Sequence, residues 1–182
     1  QGVRFDPWLA RVGDLEREMT GDLARWMDLE DEPINHFRFG AAVNEFIDAD
    51  TLVIGDGGDI VSACAKVIDI VRPGQWLDPG PLGCLGVGAP FAIAAQNLYP
   101  ERKVLIVNGD GSFGLNGFEF DTAIRFGLPI VSIVGNDAGW GQIRGPQARM
   151  VGPERAVATS LAPTRYDRVV SALGGYGERV DR

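Results

Sequence analysis

Cysteine, histidine and clustered positive charge are scarce in this chain, and each scarcity closes a class of function. Its 182 residues hold two cysteines, Cys64 and Cys84, and a single histidine, His36. The cysteines lie in apolar, helix-like segments with no metal-ligand or disulfide spacing, so neither a zinc module nor a disulfide scaffold is expected. One histidine without a neighbouring Ser or Cys nucleophile supports no triad. Net charge is −8 and no Lys/Arg run interrupts it, which argues against nucleic-acid or anionic-membrane binding. No apolar run is long enough to span a bilayer and no secretory leader is visible. Unpaired thiols fit a reducing cytoplasm, the expected location. Repeats and low-complexity tracts are absent, and no G-x-G-x-x-G opens a helix after the first strands, which disfavours a dinucleotide site.

What is present is enough apolar residue, 45%, for one α/β domain with a real core. The organising stretch runs from Lys103 to Gln142. An apolar run, Val104 to Val107, breaks at Asn108-Gly109-Asp110-Gly111-Ser112; a helical pattern follows from Phe118 to Phe126 and stops at Gly127. A second apolar run, Ile130 to Val134, breaks at Gly135-Asn136-Asp137-Ala138-Gly139. This is a βαβ unit with two parallel strands, so both turns fall at the carboxyl edge of one sheet, where open α/β sheets bind ligands. Asp110 and Asp137 therefore converge. Two carboxylates in glycine-rich turns repel unless a cation lies between them, and Mg²⁺ with phosphate oxygens suits that geometry. The only basic residue between Val104 and Gly139 is Arg125, inside the helix. A phosphate would then rest on the metal, the N–H groups of Gly111 and Ser112, and the start of the following helix. Either turn alone also reads as ordinary strand-to-helix punctuation.

Upstream, residues 1–7 read as an irregular lead-in. Trp8, Leu9, Val12, Leu15, Met19, Leu23, Trp26 and Met27 recur at helical spacing, as one amphipathic helix or a pair broken near Gly21, with the tryptophans as packing anchors. Glu30 to Pro33 is a polar stop before a helix over Phe39 to Ile47. Thr51 to Ile54 is a short buried strand, followed by Gly55-Asp56-Gly57-Gly58-Asp59 and a helix from Ile60 to about Val71. That turn too offers backbone N–H groups to an anion. Trp76 to Asp78 reads as a short strand. The small residues Gly86, Gly88, Ala89, Ala92, Ala94 and Ala95 lead a helix that ends at Leu98. After the second metal turn, Trp140 to Pro163 reads as a loop beside the ligand edge, and its Trp140, Gln142 and Arg144 are substrate-side candidates or plain surface. A last helix spans Tyr166 to Leu173, and Tyr176 to Val180 reads as the start of a strand. The fold expected is α/β: a doubly wound, mostly parallel sheet of about six strands with helices on both faces.

Gly109-Asp110-Gly111, 24 residues, then Asn136-Asp137 is similar to the metal-diphosphate signature of thiamine-diphosphate enzymes: G-D-G, a spacer of that order, and a closing pair usually written N-N. The resemblance implies Mg²⁺ held by Asp110, Asp137 and the backbone carbonyl of Gly139, with Asp standing where the family usually has Asn. It implies further diphosphate contacts from Gly58 and Asp59. It also implies that Gly83 and Leu85 hold the cofactor's aminopyrimidine, the Gly83 carbonyl accepting from its amino group and Leu85 propping the cofactor bent. Within the family the chain resembles acetolactate-synthase-like proteins and 2-hydroxyacyl-CoA lyases, and Leu161 to Asp167 followed by Ala172-Leu173-Gly174-Gly175 resembles actinobacterial members.

The resemblance covers about residue 34 to the end. It implies a helical linker over 1–33 and a cofactor-binding domain over 34–182 that is cut short at its C-terminal end. The implied activity makes or breaks a C–C bond beside a carbonyl of a small-molecule substrate, as a lyase or carboligase, with thiamine diphosphate supplying the carbanion. No catalytic residue is assigned in this chain. The activating glutamate is expected on a separate pyrimidine-binding domain or chain of the same enzyme, in a homodimer or homotetramer. Two alternatives stand beside this: a non-catalytic phosphate-binding module, and a dedicated subunit of a split thiamine-diphosphate decarboxylase.

Overall fold

The first element lies largely exposed. In the computed structural model, which describes residues 5–30 and 32–180, a helix α1 (Asp6–Met27) opens the chain. Pro7 sits in its first turn, where the missing N–H costs no hydrogen bond. The helix runs unbroken through Gly21, so no helix pair forms. It starts inside the lead-in expected over 1–7, of which residues 1–4 lie outside the described residues. None of its residues is buried, and Trp8 and Trp26 are 63% and 53% exposed, so they do not anchor packing as expected. Periodicity marks an apolar face without saying what covers it. The C-terminal end of α1 is tethered: Trp26 tilts against Phe37 at 6.5 Å, Asn35 Nδ2 donates to the Trp26 carbonyl, and Arg38 Nη1 donates to that of Leu29.

The rest alternates strand and helix. Asn35 caps α2 (His36–Asn44), its Oδ1 accepting from the Phe37 and Arg38 N–H groups. There follow β1 (Leu52–Asp56), α3 (Asp59–Val67), β2 (Trp76–Leu77), a 3₁₀ turn over Gly80–Leu82, and α4 (Gly88–Leu98). Then come β3 (Val104–Gly109), α5 (Asp110–Asn116), a 3₁₀ turn over Gly117–Glu119, α6 (Phe120–Arg125) and β4 (Ile130–Gly135). Last are α7 (Gly141–Val151), a 3₁₀ turn over Pro153–Arg155, and α8 (Tyr166–Ala172).

The four strands form one parallel sheet in the order β2-β1-β3-β4. Side chains alternate along each strand and so sort into two cores. Leu52, Ile54, Val104 and Ile106 face α4 and the Phe113–Phe120 pair; Val53, Leu105 and Val107 face Val43 of α2 and Ile60, Val61 and Cys64 of α3. Helices thus cover both faces, as a doubly wound sheet requires. Among the described residues there are four strands rather than about six, and β4 has a neighbour on one side only, with Val131 58% exposed. Tyr176 to Val180 forms no strand, because Gly177 packs on the Asp167 backbone at the start of α8 instead of reaching the sheet. No helix among the described residues is long and apolar enough to cross a membrane.

Three local expectations change. The Gly109–Ser112 stretch is the first turn of α5 rather than a free turn, so helix begins eight residues before Phe118. The segment expected as a loop after Trp140 contains α7, with Pro146 inside it; the Ile143 and Arg144 N–H groups both donate to the Trp140 carbonyl, which holds the first turn despite the proline. Cys84 lies in an exposed loop, whereas Cys64 is buried in α3; both are free thiols.

Candidate metal-diphosphate site

Strand register brings three turns to one edge. Asp56 pairs with Asn108, and Gly109 with Gly135, so β1, β3 and β4 end level. The backbones crowd there. A Cβ on Gly57 would lie 2.8 Å from the Gly109 nitrogen, a spacing that glycine alone permits.

Asp110 occupies the middle of this edge, buried, as the first residue of α5. Its Oδ1 accepts the Gly111 N–H at 2.8 Å, and its Oδ2 accepts the Gly139 N–H at 3.0 Å from the other turn. Burial pushes its carboxyl above the ordinary value and the charge of nearby Asp137 pushes the same way, against the two N–H bonds. Through the Gly139 N–H the Asp110 carboxylate meets the turn that carries Asp137. Asn136 shapes the second turn: its Oδ1 accepts from the Ala138 N–H, its Nδ2 donates to the Thr164 carbonyl, and Ala138 is held at φ 54°. Both ends of its amide are thus engaged in shaping the turn.

Arg144, a substrate-side candidate from the sequence, stands at the second turn. From the first turn of α7 its Nη2 reaches Asp137 Oδ2 at 3.2 Å, and its guanidinium lies against Gly139. The edge is thus not without a basic side chain. Gly141 sits between two carboxylates, since a Cβ there would be 2.8 Å from Asp59 Oδ2 and 3.3 Å from Asp137 Oδ2. The other α7 candidates lie against the same turns: the Trp140 ring covers Gly111, and Gln142 packs on Gly58, where a Cβ would be 2.9 Å from its own Cβ. An open cleft of about 510 Å³ adjoins them, its lining including Asp59, Asp137, Arg144, Thr159 and Ser160.

Of the N–H groups expected to be bare, that of Gly111 is taken by the Asp110 carboxylate. The Ser112 hydroxyl donates to the Asp56 carbonyl at 2.6 Å, binding the first turn to β1. Gly83 and Leu85 stand apart from this group, in the exposed loop before α4, with Gly83 at φ 60°. That loop is fixed by Asp56, which sequence reading passed over as one more residue of a glycine turn. Buried at the end of β1, it accepts the Gly86 N–H at 2.9 Å and the Gly88 N–H at 2.7 Å, while Asn116 Nδ2 donates to the Gly86 carbonyl. Its position as the last residue of an apolar strand was the available signal, because a carboxylate there must find donors.

The donors fit a hard cation. They are carboxylate and carbonyl oxygens, each carboxylate oxygen of Asp110 keeps a lone pair beyond its N–H bond, and the facing Asp137 adds a second charge. Among the described residues no group of three or more His, Cys, Asp or Glu is placed to hold a metal.

Comparison with known proteins places the chain in a family. Residues 56–182 match the family described as thiamine pyrophosphate enzyme, C-terminal TPP binding domain. A probable acetolactate synthase of Mycobacterium bovis is 39% identical over 181 residues, covering 98% of this chain and 32% of the relative. The 2-hydroxyacyl-CoA lyase 2 of Caenorhabditis elegans is 40% identical over 176 residues (96% and 27%), and that of Homo sapiens 41% over 185 residues (100% and 29%). The chain spans about a third or less of the length of these curated relatives.

Proposed function

Because the chain belongs to the thiamine pyrophosphate enzymes, as their C-terminal cofactor-binding domain, we propose that it is the diphosphate- and metal-holding part of a lyase or carboligase that makes or breaks a C–C bond beside a carbonyl. The observation that carries this reading is the Gly139 N–H to Asp110 Oδ2 bond of 3.0 Å, which locks the two acidic turns together beside Asp137. In this reading Asp110, Asp137 and the Gly139 carbonyl hold Mg²⁺. Gly58, Asp59, Gly111 and Ser112 line the diphosphate, and Gly83 and Leu85 meet the aminopyrimidine. When bound, thiamine diphosphate supplies the carbanion and the electron sink. The chain orients it: Asp56 and Asn116 hold the Gly86 loop, and Trp140 and Gln142 close over the phosphate turns. Arg144, beside Asp137 and open to the cleft, is the side chain suited to an anionic group of the substrate.

The relatives named acetolactate synthase and 2-hydroxyacyl-CoA lyase 2 suggest two substrate classes for the whole enzyme: the precursors of acetolactate, or 2-hydroxyacyl-CoA thioesters. Residues 1–33 form the linker and 34–182 the cofactor domain. A pyrimidine-binding domain, in a homo-oligomer, supplies the activating glutamate, so this chain alone is inactive. The free thiols at Cys64 and Cys84 suit a cytoplasmic enzyme.

Calorimetric titration of the chain with thiamine diphosphate, with and without Mg²⁺, tests the reading. Binding that requires the metal and is lost in Asp110→Ala is expected. Metal-independent binding that survives in Asp110→Ala would point to a simple phosphate module, and turnover by this chain with cofactor and Mg²⁺ alone would refute its dependence on a partner.

A further inference from the structure

The residues between the third 3₁₀ turn and α8 do more than connect them. From Thr159 to Tyr166 the chain runs behind the second acidic turn and stitches itself to it. The Trp140 N–H donates to the Thr159 carbonyl at 2.9 Å, and the Leu161 N–H donates to that of Ala138 at 2.8 Å around an antiparallel bridge between Gly139 and Ser160. Asn136 Nδ2 then donates to the Thr164 carbonyl at 2.9 Å. The last stitch goes to the other turn: Tyr166 Oη donates to the backbone carbonyl of Asp110 at 3.1 Å.

These bonds close a ring. Asp110 holds Gly139 through its carboxylate, Gly139 lies in the turn held by the strap, and the strap returns to Asp110 through Tyr166. We infer that Tyr166 is a positioning residue for the metal site, setting the main chain of Asp110 so that its carboxylate faces the second turn. The inference rests on the proposal that Asp110 is a metal ligand. The aromatic part of Tyr166 has a separate task. Its ring tilts on Phe113 at 4.9 Å, and Phe113 stacks on Phe120 at 5.3 Å, a contact phenylalanine would make equally well. Only the hydroxyl reaches Asp110, so the two roles can be separated by removing one oxygen.

Tyr166→Phe in the full chain does this. The measurements are the Mn²⁺ affinity in the presence of inorganic pyrophosphate and the rise in melting temperature that the pair produces. The expected result is a metal-free melting temperature close to that of the parent protein, with Mn²⁺ affinity weakened about fivefold, the change made by one neutral hydrogen bond. The ligand-induced rise shrinks accordingly. If the variant melts lower without metal, the affinities are compared well below both midpoints. Equal affinity and an equal rise in both proteins would overturn the inference, leaving Tyr166 as packing. A parent protein that shows no Mn²⁺–pyrophosphate effect would instead overturn the metal proposal, and this inference with it.

Discussion

Alanine at Gly111 probes how closely the second turn is laid over the first. Gly111 belongs to α5, where a side chain is ordinarily welcome, yet a Cβ built there lies 2.5 Å from Trp140 Cζ3 and 2.7 Å from both Cε3 and Cη2. Ordinary contact begins near 3.4 Å, so the indole has to retreat by roughly 0.9 Å. It has little freedom to do so. The Trp140 N–H is bonded to Thr159, and its carbonyl accepts from both Ile143 and Arg144, so a retreat moves the start of α7 and the Gly139 turn. Forced overpacking of this kind costs about 1–3 kcal/mol. Without the indole the sign reverses, since alanine is favoured over glycine inside a helix by about 0.5–1 kcal/mol. Urea denaturation of the parent, Gly111→Ala, Trp140→Ala and the double variant measures both. Gly111→Ala is expected to lose about 1–3 kcal/mol in the parent background and to be neutral or stabilising once Trp140→Ala has removed the indole. Equal losses in the two backgrounds, within about 0.5 kcal/mol, would refute the packing of Trp140 on Gly111.

Two further outcomes follow from buried and paired carboxylates. Asp56→Asn turns an amide NH₂ toward the Gly86 or Gly88 N–H, leaving one buried donor unmet, and should lower unfolding free energy by about 1–3 kcal/mol in the same denaturation assay. At the start of α8, paired hydrogen bonds from Arg165 lower the Asp167 carboxyl from 3.8 to about 2. A depressed folded value stabilises the protein above 3.8, and that contribution is lost as pH falls toward 2. Melting curves should therefore separate the parent from Asp167→Asn at neutral pH and converge in acid through that window; a gap independent of pH would contradict the pairing.

The parallel sheet was legible because Val104 to Val107 and Ile130 to Val134 are short β-branched runs, each ended by glycine, and a βαβ crossover sets their common direction. The meeting of Asp110 and Asp137 followed from that alone. Arg144 was read as a substrate-side candidate in a loop beside the ligand edge; the segment instead forms a helix despite Pro146, which sets the side chain against Asp137. Asp56 and Tyr166 were missed. Their partners lie 30 to 56 residues away, at Gly86, Gly88 and Asp110, and no local periodicity records such a bond. A fifth strand was read at Tyr176 to Val180 from its local pattern, whereas strand identity depends on a neighbour, which that segment lacks among the described residues.

That missing neighbour leaves its mark on β4. Ile130-Val131-Ser132-Ile133-Val134-Gly135 carries neither charge nor proline, and among the described residues no strand pairs with its outer side. Edges are usually blunted by lysine, proline or a bulge, and this one has none of them. The same six residues that align the two acidic turns thus also make an open border of the sheet, where an arriving strand would find its register already prepared.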